Sequence, residues 1–165
     1  MSEDLLPAER KVLEVLGDRP LDFAAMGAMS NLFRSAVAIR RHLEATVLAP
    51  DRLSWTSFVG LWVLWVWGEL GANGFADAVG ISRPTATGVI RTLEARGLVR
   101  RRGDADDRRT VLVSLTPEGL ALIEALFPRF NAEEARVANA LSPEEQQVLA
   151  SMLRRIQNGL PDTQD

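Results

Sequence analysis

Ser82, Arg83, Pro84, Thr85, Thr87, Gly88 and Arg91 fall in one short stretch that reads as the opening of a helix. The chemistry available to them is hydrogen bonding and cation donation rather than bond-making. Short side chains let a helix sink close to a partner, hydroxyls bond phosphates or base edges, and guanidinium groups two turns apart reach a guanine edge or the nucleic-acid backbone. A second cationic group follows in Gly103-Asp104-Ala105-Asp106-Asp107-Arg108-Arg109. A structural hairpin prefers a two-residue turn, whereas a longer charged tip lays arginine into a minor groove, where the negative potential is strongest. Asp107 is expected to orient Arg109 there by a charge-assisted bond.

The charge distribution points the same way. Between Ser82 and Arg109 eight arginines (83, 91, 96, 100, 101, 102, 108, 109) face four acids (94, 104, 106, 107), a net +4 in a chain whose total is −3, which leaves −7 elsewhere. Counterion release depends on the contacting face and not on the total, so a basic segment on an acidic body suits a reader of double-stranded DNA. Other chemistries lack their residues. Absent cysteine removes disulfides, thiol nucleophiles and thiolate metal sites, and a single histidine, His42, gives a transition metal too few ligands. No glycine-rich phosphate loop or nucleophile–base set is visible, so no catalytic residue, cofactor or metal is expected. The start of the chain carries Glu3, Asp4 and Glu9 and no long apolar run, so no export signal is read and the expected location is cytoplasmic. The most apolar stretch, Trp55–Trp67, falls well short of the ~20 residues a membrane span needs.

The elements that position these groups follow from caps and periodicity. A short helix is expected over Pro7–Leu16, ended by Gly17, and a long one from Leu21 to Leu48, broken at Pro50 and Asp51. Ser54 reads as the N-cap of a helix to Glu69. Asn73–Val79 reads as a short helix, Gly80 as a tight turn, and Ser82 as the cap of a helix to Arg96 with Gly97 at its C′ position. Leu98–Arg102 and Thr110–Leu115 read as two strands. Thr116-Pro117-Glu118 starts a helix that Pro128 is expected to kink or interrupt, and Ser142-Pro143-Glu144-Glu145 starts the last one with a capping box. The order is helix, tight turn, helix, strand, basic loop, strand. A helix-turn-helix places its second helix in the major groove.

These residues resemble the multiple-antibiotic-resistance-regulator (MarR) family of winged-helix regulators. The likeness runs from about Leu53 to Gly119 and is carried by Leu93-Glu94-Ala95-Arg96-Gly97-Leu98-Val99-Arg100-Arg101, by Asp104–Arg109, and by Val111–Gly119. The stretch Phe75–Ser82 also fits, with phenylalanine where the family usually has leucine. The resemblance implies a mainly α fold with a small β-hairpin wing: N-terminal dimerisation helices over 1–52, a winged helix-turn-helix lobe over 53–115, and C-terminal dimerisation helices over 116–165. It also implies that Arg109 is the wing arginine with Asp107 its partner, and that Ser82–Arg91 reads the groove.

Members of the family often bind small aromatic or anionic effectors beside the dimerisation helices. Trp55, Phe58, Trp62 and Trp65, spaced three, four and three apart, would wall such a pocket here, with Arg34, Arg41 and His42 as polar contacts. Aromatic residues at that spacing are first of all a core face. The function expected is a sequence-specific, ligand-responsive repressor that binds a palindromic operator as a homodimer. A protein-binding winged helix and a non-specific architectural DNA binder are the alternatives.

Overall fold

The computed structural model describes residues 5–103 and 111–161. Contacts divide the chain into two compact units, Met1–Arg41 and His42–Asp165. In the first, α1 (Pro7–Leu16) is followed by α2 (Phe23–Leu43), which runs on into the second unit. Glu9 closes the first turn of α1 by accepting from the Leu6 N–H at 2.9 Å, and Asp22 accepts from the Ala25 N–H at 2.9 Å at the start of α2. Asn31 Nδ2 donates to Glu9 Oε1 at 2.8 Å and ties the two helices together. No residue of α1 is buried, and of α2 only Leu43 is.

The second unit holds the core. The expected single helix to Leu48 instead passes into a π turn over Glu44–Leu48 and a 3-10 turn over Ala49–Asp51. In an α-helix, residues five apart diverge by about 140°. The wider π turn closes that angle and brings Leu43 and Leu48, both under 2% exposed, to the same side. Arg52 then reverses the chain with φ 53°, the one left-handed non-glycine residue among those described.

Ser54 caps α3 (Trp55–Trp67), accepting from the Ser57 N–H at 3.2 Å. The helix ends two residues before the expected Glu69, because Gly68 takes φ 77° and ψ −147°, a conformation only glycine tolerates. A two-residue strand β1 (Leu70–Gly71) precedes α4 (Ala72–Val79) and α5 (Arg83–Ala95). Strands β2 (Val99–Gly103) and β3 (Val111–Leu115) pair antiparallel from Val99 opposite Leu115 to Gly103 opposite Val111. β1 adds to the other edge of β3, giving the order β1-β3-β2. Phe75, Leu61, Leu93, Val113, Ile123 and Leu126 form the centre of the core. Among the described residues no helix is long and apolar enough to cross a membrane.

α6 (Pro117–Ala138) is capped by Thr116 and runs unbroken through Pro128. Proline removes the N–H that would bond the Glu124 carbonyl. Both residues are exposed, so the freed carbonyl lies on the solvent side of the helix, while Ile123, Leu126 and Phe130 hold the inner face in the core. α7 (Pro143–Asn158) has the expected capping box: Ser142 Oγ accepts from the Glu145 N–H and Glu145 from the Ser142 N–H. It buries no residue, leaving Val148, Leu149, Met152 and Ile156 exposed along one side.

Candidate nucleic-acid interface

Gly80, with φ 74° and ψ 40°, makes the turn between α4 and α5, and its left-handed backbone is why glycine stands there. Ser82 caps α5 by accepting from the Thr85 N–H at 3.3 Å. Ala86, Ile90 and Leu93 turn inward and are buried, so Ser82, Arg83, Pro84, Thr85, Thr87 and Arg91 are all exposed on the outside. Gly88 is half-buried, yet a Cβ on it would meet nothing within 4 Å. Mid-helix glycine costs about 1 kcal/mol against alanine, and packing within the chain gives no reason for it.

Bonding within the helix changes what the hydroxyls offer. Ser82 Oγ and Thr85 Oγ1 lie 2.7 Å apart and bond each other, and Thr87 Oγ1 donates to the Arg83 carbonyl at 3.0 Å. The Thr87 proton is therefore spent. What it presents outward is an acceptor oxygen and a methyl group, which suit a cytosine amino group or a thymine methyl.

The arginines are also sorted by the fold. Arg102 grips Glu69 with both arms of its fork, Nε to Oε2 at 2.8 Å and Nη2 to Oε1, and this bond holds the Glu69 carboxyl below the usual range. Arg101 Nε pairs with Glu94 at 3.0 Å, Arg100 Nε donates to Ser114 Oγ at 3.2 Å, and Arg96 bonds two backbone carbonyls. Arg83 and Arg91 have no ion pair or hydrogen-bonding partner among the described residues. Glu69, which lies outside the segment counted in sequence, brings its net charge from +4 to +3, while Glu94 was already in that count. Sequence reasoning missed Glu69 as the partner of Arg102 because the two are 33 residues apart. Asp107, Arg108 and Arg109, to which the wing contact was assigned, lie outside the described residues.

The aromatic stripe is largely a packing face against α6. The Phe58 ring is stacked on Phe130 at a centroid distance of 4.2 Å, Trp55 lies 6.0 Å from Phe130, and Trp65 lies 5.4 Å from Phe127. Trp62 meets Trp67 edge-on at 5.3 Å, and Trp55, Trp62 and Trp65 stay half-buried. His42 Nε2 contacts Glu133 Oε1, and Arg136 Nη2 stands 3.0 Å from the same nitrogen. With hydrogen bonds from Arg136 and then His42, the Glu133 carboxyl is pulled down to about 2. Arg34 and Arg41 belong to the first unit and are exposed. Arg34 borders an apolar cavity of about 310 Å³ lined by Leu5, Val12, Phe23 and Met26, with Glu9 also on its wall.

Three adjoining helices, a three-stranded sheet and a positive outer face on α5 make a winged helix-turn-helix. Residues 53–111 match the model of the MarR family. The HTH-type transcriptional regulator YwaE of Bacillus subtilis is 38% identical over 98% of this chain and 96% of its own length. The chain belongs to the MarR family. As a MarR-family winged-helix regulator it also aligns with the solved Staphylococcus aureus MepR–DNA complex, at 27% identity and TM-score 0.71 over 79% of this chain and 97% of that one. Bordetella bronchiseptica BpsR, solved in a study of how 6-hydroxynicotinic acid regulates its DNA binding, aligns at 30% identity and TM-score 0.71 over 79% of this chain and 98% of that one. Gly71 stands at the N-cap of α4 with no side-chain bond.

Proposed function

We propose that this MarR-family chain is a homodimeric, ligand-responsive repressor that binds a palindromic operator in the cytoplasm. The observation that carries the DNA-reading part is the outer face of α5, where Arg83 and Arg91, two turns apart, have no partner among the described residues and are flanked by small residues and by a glycine that their packing does not require. A recognition helix in each of two major grooves calls for half-sites about 10 base pairs apart, centre to centre. The wing residues Asp107, Arg108 and Arg109 complete the reading by gripping the flanking minor groove.

Dimerisation is supported by the apolar side of α7, which no described residue buries, and by Phe33 and Val37, exposed at 67% and 52%. A second copy supplies the missing cover. Ligand response is supported by BpsR and by the cavity that Arg34 borders. The effector class is a small aromatic or anionic molecule, and of the expected contacts Arg34 stands on the wall of that cavity. A ligand acts by favouring one separation of the two recognition helices over another, so its differential affinity for the two states sets the size of the response.

The test is selection of bound sequences from random duplex DNA by the purified protein at moderate salt. Recovery of a palindrome is the expected outcome. A folded dimer that enriches no sequence overturns this reading in favour of an architectural or protein-binding role.

A further inference from the structure

We propose that Arg96 is a positioning residue for DNA reading, anchoring the far end of α5 without touching DNA. Arg96 follows the last residue of the helix, and its guanidinium reaches back across the molecule: Nη1 donates to the Arg52 carbonyl and Nη2 to the Asp51 carbonyl, each at 2.8 Å. Consecutive carbonyls of an extended chain point to opposite sides. These two converge on one fork because the chain turns at Arg52, with φ 53°. The same corner is held from a third element, since Arg129 Nη1 of α6 pairs with the Asp51 carboxylate at 3.0 Å. The end of α5, the corner and α6 therefore meet at Asp51 in one directional network.

That placement matters because α5 is a lever. Its 13 residues extend about 20 Å. The apolar contacts of Ala86, Ile90 and Leu93 hold its inner face, but such contacts are non-directional and resist a tilt weakly. A tilt of about 10° at the Arg96 end moves Thr87 by about 2 Å and Ser82 by more than about 3 Å, beyond what a base-edge hydrogen bond tolerates. The fork also explains arginine at this position: lysine carries the charge but cannot span two carbonyls with planar geometry.

The inference rests on DNA reading by α5, so the experiment uses the palindrome recovered by the full-length wild type. Arg96→Gln and Arg96→Lys are compared with Arg91→Ala for affinity, for the slope of log affinity against log salt, and for tolerance of altered half-site spacing; melting temperatures are recorded alongside. Both Arg96 variants are expected to bind about tenfold more weakly, at a wild-type salt slope, because no phosphate contact is lost. Their preference for one half-site spacing broadens, which loss of stability by itself does not produce. Arg91→Ala lowers the slope by about 0.9 for a lost phosphate contact. Wild-type binding by Arg96→Gln overturns the proposal. A reduced slope in Arg96→Gln with full rescue by Arg96→Lys overturns it too, making Arg96 a phosphate contact. A wild type that selects no sequence sinks the repressor reading and this inference with it.

Discussion

Replacing Gly60 by alanine tests how α3 seats the helix-turn-helix. A Cβ at Gly60 would stand 2.8 Å from Cζ and 3.3 Å from Cε2 of Phe75, and 3.7 Å from Leu93 Cδ1. Carbon atoms in contact prefer about 3.5–4.0 Å, and Phe75 is fully buried, so the ring must move within a filled core. Forcing it costs about 1–3 kcal/mol, offset by about 1 kcal/mol of helix propensity gained over glycine. We expect Gly60→Ala to destabilise by about 1 kcal/mol net. Phe75→Leu removes the obstructing end of the ring and by itself costs about 1–2 kcal/mol. In the double variant the methyl group has room, so the propensity gain is recovered and the two changes couple favourably by about 1–3 kcal/mol. Urea unfolding of the four proteins at one fixed protomer concentration measures the cycle. Effects that add to within about 0.5 kcal/mol would refute the close approach of Gly60 to the Phe75 ring.

Four further outcomes are expected. Arg83→Ala and Arg91→Ala each weaken duplex binding, and each lowers the salt slope by about 0.9 if the contact is to phosphate or relaxes preference at one base pair if it is to a guanine; fluorescence anisotropy over a salt series distinguishes the two. Arg109→Ala weakens binding to all sequences and flattens its salt dependence, and normal binding by that variant removes the wing assignment. Glu133 has a carboxyl lowered from 4.5 to about 2 by Arg136 and His42. Its stabilising contribution is therefore complete above pH 4.5 and fades as pH falls toward 2, so the melting-temperature gap between wild type and Glu133→Gln narrows over that interval. Val148→Asp with Met152→Glu puts charge on the bare side of α7, and sedimentation velocity is expected to show a shift from dimer toward monomer while the far-ultraviolet spectrum is retained.

Much of the scaffold was legible because it is set by neighbours in sequence. Ser54, Ser82, Thr116 and Ser142 each cap a helix by accepting an N–H three residues on. Gly80 and Gly97 mark left-handed turns. Helix-turn-helix order and the family resemblance rest on this local chemistry, and so does the assignment of the α5 outer face.

What the sequence could not determine are the contacts between residues far apart along the chain. Counting arginines cannot distinguish Arg91, which has no partner among the described residues, from Arg102, neutralised by Glu69, because both carry the same charge and their partners are chosen by the fold. The spacing of Trp55, Phe58 and Trp65 is the same for a ligand wall as for a core face, and only the packed structure brings Phe127 and Phe130 of α6 against it. Pro128 was expected to disturb α6, but the position of the freed carbonyl relative to water decides whether that matters. The clasp of Arg96 on Asp51 and Arg52 joins residues more than 40 positions apart through backbone carbonyls, which carry no side-chain signature for a sequence to display. Local hydrogen-bonding preferences specify where helices begin and end. Which charges stay free to meet DNA is decided only when the packed core brings distant carboxylates and carbonyls within reach.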